Sequence, residues 1–211
     1  MSNKINIKKT EVLSNIFLLE FDNNIELGST MLRFQEFYES PKFRGKFFTF
    51  EEYKGWYTGY DKKKKFTYYT DWTGFNIPSY VLKPFLKGSF DPLSDNEKLL
   101  LNLFKNKNVD DEFYIIAVSK ESEFLVDHEI AHALYYTNKN YKKDVDKILS
   151  NYDVEKIKDE LRGTGGYCEE VLHDEVHAWS LDKNIELKTP VSKNMIIELR
   201  KVFEKYKNKK N

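Results

Sequence analysis

The feature that most constrains this chain is the sequence His-Glu-Ile-Ala-His at positions 128–132. On a helix, residues four apart lie on the same face, so the imidazoles of His128 and His132 can converge on one ion. Glu129 lies roughly 100° around the helix from His128, beside such an ion and not on it. This spacing is typical of zinc sites in which the glutamate takes a proton from water. Because so short a pattern also arises by chance, its flanking residues matter.

The flanking residues favour a buried helix that follows a buried strand. Residues 112–119 form a β-branched and aromatic run, which predicts a strand. Ser119 or Ser122 is then a suitable N-cap for a helix that continues to Thr137. The predicted helix carries apolar side chains of its own on all sides, which indicates that it is buried. Buried histidines and a buried glutamate need polar partners, and a metal ion would be one.

A zinc site needs at least three protein ligands, and the predicted helix at 167–182 offers the third. On a helical wheel, Glu175 lies at the centre of the apolar face of that helix. His173 and His177 fall on the far side, roughly 160° away in either direction. The predicted site therefore has three metal ligands, His128, His132 and Glu175, and one catalytic base, Glu129.

The two later histidines leave alternatives open, because they repeat the spacing of the first pair. His173 or His177 could supply the third ligand, or the two could form a second site; otherwise both are surface residues. Asp174 is a weaker alternative ligand.

With these residues, the chain resembles the zincin metallopeptidases, and specifically the gluzincin type. In that family, the His-Glu-x-x-His helix is followed by a second helix that carries a glutamate ligand. The resemblance covers residues 119–137 and 167–182. It implies a zinc ion and the hydrolysis of a peptide or protein substrate, with Glu129 as general base. The strand at 112–119 resembles the edge strand along which such enzymes bind an extended substrate.

The chain departs from the common gluzincin pattern in two ways. Trp179 stands four residues after Glu175, where an aspartate often orients the first histidine. The carboxylate that orients a histidine must therefore come from elsewhere, and the candidates are Asp127, Asp174 and Asp182. The gap between the second histidine and Glu175 is also long, and its amphipathic stretches at 141–151 and 153–162 could form a lid or a wall of the cleft.

A peptidase of this kind also needs a donor for the oxyanion that develops during hydrolysis. Several side chains near the predicted helices can donate a hydrogen bond, and the sequence does not separate them. The candidates are Tyr135, Tyr136, Tyr141, Tyr167 and His177.

Composition gives no electrostatic case for nucleic acid or an anionic membrane, since Lys+Arg and Asp+Glu both number 34. The single cysteine, Cys168, excludes an intramolecular disulfide and favours a reducing compartment. The first residues lack the apolar core of a signal peptide, and no stretch is long enough to span a bilayer. We therefore expect a cytoplasmic protein with neither a nucleic-acid nor a membrane partner.

The expected fold class is α+β, predominantly helical, with a small mixed sheet packed on the 120–137 helix. Residues 1–110 form an aromatic-rich α+β region and residues 111–211 the zincin-like catalytic region. The composition does not shift near residue 110, so one integrated domain is equally consistent. The alternatives are a non-catalytic zinc-binding regulatory or interaction protein and a metal-free helical core in which the motif is a chance match.

Three shorter segments of the first region also carry predictions. The lysine run at 62–65 predicts a solvated hairpin tip, with a nucleic-acid contact as the alternative, and residues 66–72 predict the strand that follows it. Asn76 and Pro78 predict the start of a helix.

Overall fold

The computed structural model of the protein describes residues 5–60, 65–182 and 187–209. Over these ranges the fold is α+β, as the sequence predicts, with ten α-helices and one four-stranded mixed sheet. None of the helices within the described ranges is long and apolar enough to cross a membrane.

The sheet draws its strands from both predicted regions of the chain. Its four strands are β1 (Ile7–Leu13), β2 (Ile16–Phe21), β3 (Gly74–Pro78) and β4 (Tyr114–Ser119). They lie in the order β1-β2-β4-β3, so β4 sits between strands from the first 110 residues. β2 and β4 are parallel, whereas β1 pairs with β2 and β3 pairs with β4 in the antiparallel sense.

Strand β4 is central, so the prediction that residues 112–119 form a substrate-binding edge strand is wrong. Ile115 and Ala117 pack on one face of the sheet, while Ile116 and Val118 pack on the other. Burial on both faces explains the continuous apolar run of this segment. The neighbouring sheet edge is instead β3.

The described helices follow in chain order, and two short 3₁₀ turns, Ser79–Val81 and Glu123–Leu125, lie among them. They are α1 (Asn24–Glu39), α2 (Phe50–Tyr60), α3 (Tyr68–Asp71), α4 (Leu82–Leu86), α5 (Asp95–Leu103), α6 (Val126–Thr137), α7 (Lys139–Leu149), α8 (Glu155–Gly163), α9 (Leu172–Leu181) and α10 (Lys193–Lys207).

Helices cover both faces of the sheet and create two hydrophobic cores. The first core joins the face that carries Phe17 and Ile115 to α1, α2, α4 and α5, and it is rich in aromatic side chains. The second core joins the face that carries Leu18 and Ile116 to helices α6 to α10. The residues that follow β4 therefore pack on one face of the sheet, opposite the helices that precede it.

The start of α6 differs from the predicted serine cap. Its N-cap is Leu125, which offers no side-chain hydrogen bond, and the 3₁₀ turn leads directly into the helix. Ser122 Oγ instead accepts a 3.1 Å hydrogen bond from the Ser119 backbone N–H and donates to the Thr73 carbonyl. The serine thus stabilises the turn between β4 and α6.

Two local predictions in the first region are wrong. The predicted helix start at Asn76 is wrong, because residues 74–78 form β3 and helical structure begins only at Ser79. Pro78 is tolerated in β3 because β3 is an edge strand. Residues 66–72 are not a strand, since α3 lies within them and buries Tyr68 in the aromatic core. Most of the lysine run, residues 62–64, lies outside the described residues.

Candidate metal centre

The three predicted ligands lie together where α6 meets α9. Ligand atoms of His128, His132 and Glu175 are within 4.8 Å of one another, and all three side chains are buried. The two Nε2 atoms of the histidines are 3.2 Å apart. Oε1 of Glu175 lies 3.7 Å from Nε2 of His132. These three residues could hold a metal ion.

The spacing of these atoms fits a small, tetrahedrally coordinated ion. Zinc bonds to histidine nitrogen and carboxylate oxygen are about 2.0–2.1 Å long, so neighbouring ligands in a tetrahedron lie roughly 3.4 Å apart. The observed separations of 3.2 Å and 3.7 Å fall on either side of that value. Within the described part of the chain, no fourth His, Cys, Asp or Glu side chain belongs to this group, so a four-coordinate ion held there would take its fourth ligand from elsewhere.

A hydrogen bond to Asp174 determines which nitrogen of His132 faces the site. Its Nδ1 lies 2.9 Å from Oδ2 of Asp174. Since an ionised carboxylate can only accept, Nδ1 donates a proton to Asp174, and Nε2 is the nitrogen that faces the site. Burial opposes the charge on Asp174, but His132 and His177 lower the pKa of Asp174 to about 2.

Of the three aspartates that could orient a histidine, Asp174 makes the direct contact. Asp182 Oδ2 lies 3.6 Å from Nδ1 of His128, which is too long for a direct hydrogen bond. Asp127 points elsewhere and forms an ion pair with Lys207 at 2.6 Å. The orienting carboxylate is therefore the residue that precedes Glu175, and it acts on the second histidine.

The carboxylate of Glu175 is oriented by neighbours on the surrounding loop and helix. Trp179 Nε1 donates a 3.1 Å hydrogen bond to Oε2, which leaves Oε1 to face the histidines. The same indole N–H lies 3.3 Å from the hydroxyl oxygen of Tyr167. Burial raises the pKa of Glu175, and a cation at the site would offset that cost.

Burial affects the two histidines differently. It lowers the pKa of His128 well below its ordinary value, which keeps this imidazole neutral and able to bind a metal. Burial also opposes a proton on His132, but Asp174 and Glu175 raise the pKa of His132 to about 10. A metal ion would replace that proton among the same carboxylates.

Glu129 lies on the side of α6 that faces β3. Its Oε2 accepts a 2.8 Å hydrogen bond from Nδ2 of Asn76. Gly74 lies against the same carboxylate, so closely that a Cβ built at this glycine would overlap Oε1 of Glu129. Burial raises the pKa of Glu129 to about 7, although His132 and Asn76 oppose the shift. A carboxyl group with this pKa is suited to take up and release a proton near neutral pH.

Asn76, which no sequence motif indicated as a site residue, is itself held in one orientation. Its Oδ1 accepts a 2.6 Å hydrogen bond from the Tyr114 hydroxyl, so Nδ2 must face Glu129. Its backbone N–H donates to Oε1 of Gln35 on α1 at 3.0 Å. A polar residue within the apolar run of β3 was the available signal.

A further acidic residue near the ligand group is Glu39 of the N-terminal region, which no sequence motif indicated. This α1 residue is buried and receives a hydrogen bond from Gln35. Burial and the nearby Glu175 raise the pKa of Glu39 well above its ordinary value. Its backbone carbonyl accepts from the Cys168 N–H at 2.9 Å, which ties α1 to the loop before α9.

The interpretation of both later histidines as surface residues is half right. His173 is partly exposed, and its Nε2 lies 3.4 Å from Oδ1 of Asp146, away from the ligand group. His177 is fully buried, and its ring contacts Asp174 and Tyr141. Neither residue belongs to the metal-binding group.

The candidate oxyanion donors separate by position. The Tyr135 hydroxyl donates to Asp146, and the Tyr141 hydroxyl bonds to His177. The Tyr136 ring packs against Tyr114. Tyr167 differs, because it shares the Trp179 N–H with Glu175. Of the tyrosine candidates, Tyr167 is therefore linked to the ligand Glu175 through a single residue, Trp179.

Comparison with known proteins adds no relative to this description. No protein-family model matches the chain, and no curated protein or solved structure matches it either.

Proposed function

We propose that the chain is a zinc-dependent metallopeptidase with a zincin-like, gluzincin-type site. The observation that carries the proposal is the buried group of two histidine nitrogens and one carboxylate oxygen, which lie within 4.8 Å of one another. Two imidazoles and one carboxylate form a known catalytic zinc ligand set, which keeps its fourth position for water or substrate. The glutamate between the two histidines supplies the base.

A zinc ion bound there would lower the pKa of a water molecule and polarise the scissile carbonyl of a peptide. Glu129 would accept a proton from the attacking water and deliver it to the leaving amine. Asn76 holds the Glu129 carboxylate through Oε2, and Oε1 lies against Gly74. Asp174 keeps His132 in the tautomer that leaves Nε2 for the metal.

Tyr167 is the proposed hydrogen-bond donor to the developing oxyanion. Burial raises its pKa well above the ordinary value, and Glu175 and Glu39 add to the shift, so its hydroxyl keeps its proton. A protonated hydroxyl can donate to a negative oxygen as charge develops.

The proposed substrate is a peptide or protein. We do not expect it to bind as an added strand that pairs with β3 at Asn76. The backbone N–H of Asn76, on the outer edge of β3, already donates a hydrogen bond to Gln35. An extended substrate that paired with β3 at this position would have to displace that side chain.

A peptide-library digest with a matched variant tests the proposal. Glu129→Gln should retain zinc, because Glu129 is not a ligand, and should hydrolyse peptides about 10²–10⁴-fold more slowly. The control is Glu123→Gln, which changes an exposed carboxylate on the turn before α6. A zinc-loaded wild-type protein that cleaves no peptide would favour the alternative, a non-catalytic zinc-binding regulatory protein.

A further inference from the structure

A continuous hydrogen-bonded chain of buried side chains runs from the metal-binding group to α7. Asp174 Oδ2 accepts from His132 Nδ1 at 2.9 Å, and Asp174 Oδ1 lies 3.1 Å from His177 Nδ1. His177 Nε2 lies 2.7 Å from the Tyr141 hydroxyl. This hydrogen-bonded chain of side chains therefore consists of His132, Asp174, His177 and Tyr141, and it connects α6, α9 and α7.

The two hydrogen bonds to Asp174 have a defined direction. Nδ1 of His177 faces two oxygens of Asp174, one from the carboxylate and one from the backbone, and both can only accept. Nδ1 therefore carries a proton and donates to Asp174, and Nε2 on the other side of the ring meets the Tyr141 hydroxyl at 2.7 Å. The Asp174 carboxylate thus receives one N–H on each oxygen, from His132 and from His177.

His177 is also fixed by packing. Its side chain is fully buried, and its ring stacks on Tyr135 with centroids 5.5 Å apart. The Tyr141 ring meets it edge-on at the same distance and also contacts Tyr206 of α10. A ring held in this way gives Asp174 a donor with a defined position.

From this arrangement, we infer that His177, held by Tyr141, is a positioning residue that sets the metal affinity of the site by orienting Asp174 and, through it, His132. The inference rests on the proposed function only in assigning zinc to the ligand group. It also gives α7, within the long segment between the two ligand helices, a part in the metal site. Without the His177 N–H, one oxygen of Asp174 loses its donor, and the carboxylate no longer has one fixed orientation toward His132.

Substitutions at position 177 separate the role of the N–H from that of the bulk. His177→Leu removes the donor and should weaken zinc binding by about 10–100-fold, the usual effect of losing a group that orients a metal ligand. His177→Asn keeps an N–H near the position of Nδ1 and should restore most of the affinity. His173→Leu, one turn earlier on the same helix and partly exposed, should leave the affinity unchanged.

The dissociation constant for zinc would be measured on the full chain by competition with a fluorescent chelator. Circular dichroism of each metal-free variant checks that it is folded. Tyr141→Phe removes a single hydroxyl from the chain and provides a second test if His177→Leu does not fold. We expect it to weaken zinc binding in the same direction and by less than His177→Leu.

A double variant tests whether His177 acts through Asp174. If it does, Asp174→Ala with His177→Leu should bind zinc no more weakly than Asp174→Ala alone. Losses that add in full would overturn the inference, and so would wild-type zinc affinity in both His177→Leu and Tyr141→Phe. A protein that shows the expected zinc effects but cleaves no peptide overturns the proposed hydrolysis and leaves this inference standing. A wild-type protein that takes up no zinc overturns both.

Discussion

Nδ2 of Asn76 donates a 2.8 Å hydrogen bond to Oε2 of Glu129, which joins the edge strand of the sheet to the proposed catalytic base. Asn76 lies in the N-terminal region of the chain and Glu129 in the C-terminal region. The hydroxyl of Tyr114 fixes the orientation of the Asn76 side-chain amide. A base held in this way keeps its carboxylate in one place through the reaction.

Asn76→Ala should lower kcat and leave KM and zinc content close to their wild-type values. The lost hydrogen bond is to a charged group, and such bonds contribute about 1.5–3 kcal/mol, or roughly 10–100-fold in rate. Steady-state kinetics on one cleaved peptide, with zinc analysis of the same samples, would measure this. A variant with wild-type kcat would show that Asn76 does not position Glu129.

Gly74→Ala should reduce hydrolysis more strongly than Asn76→Ala. The added methyl group would overlap Oε1 of Glu129 and lie 3.0 Å from Cδ1 of Leu125, so the carboxylate must move. Gly55→Ala is the matched control, because a Cβ at that exposed position in α2 meets no atom within 4 Å. There the same change should stabilise the helix by about 0.5–1 kcal/mol and leave activity unchanged. Equal activity in the two variants would contradict the close approach of β3 to the base.

Glu36 should make the metal-free protein less stable as the pH rises toward neutral. Burial raises its pKa from 4.5 to about 7, against hydrogen bonds from Tyr68, Tyr53 and Ser40. The folded chain therefore keeps a proton that the unfolded chain loses above pH 4.5. Stability falls between pH 4.5 and 7, by at most roughly 3 kcal/mol, and the loss is complete above pH 7.

Glu36→Gln should reduce this fall, because a neutral amide does not titrate. Urea unfolding of the metal-free wild type and variant at pH 5 and pH 8 would compare the two free energies of unfolding. Other buried carboxylates also titrate in this range, so the difference between the two proteins isolates Glu36. Parallel pH profiles would show that Glu36 is ionised in the folded protein at pH 5.

The residues of the metal-binding group could be predicted from the sequence because their geometry depends on local helical spacing. His128 and His132 share a face of one helix through their spacing, and the helical wheel placed Glu175 on the apolar face of another. The strand at 112–119 was visible for the same reason, since a continuous apolar run predicts burial on two faces. The sheet position of that strand depends on pairing with β2 and β3, which its own residues do not reveal.

The supporting residues depend on packing between distant segments, and local patterns did not find them. Residues 76–78 resembled a helix start, but pairing with β4 makes them a strand and brings Asn76 to Glu129. His177 lies opposite Glu175 on the wheel, yet α9 packs on α6, α8 and α10, so two opposite faces of the helix are buried. A wheel identifies one apolar face and cannot show that a polar face is also covered.

The zinc content of purified protein after dialysis against a weak chelator tests the central claim most directly. The wild type should retain about one zinc per chain, and Glu175→Ala should retain almost none, because only the two histidine ligands remain. Glu170→Ala, at an exposed glutamate just before α9, is the matched control and should keep the wild-type content. A wild type that holds no zinc, or a Glu175→Ala variant that holds as much as the wild type, would contradict the account.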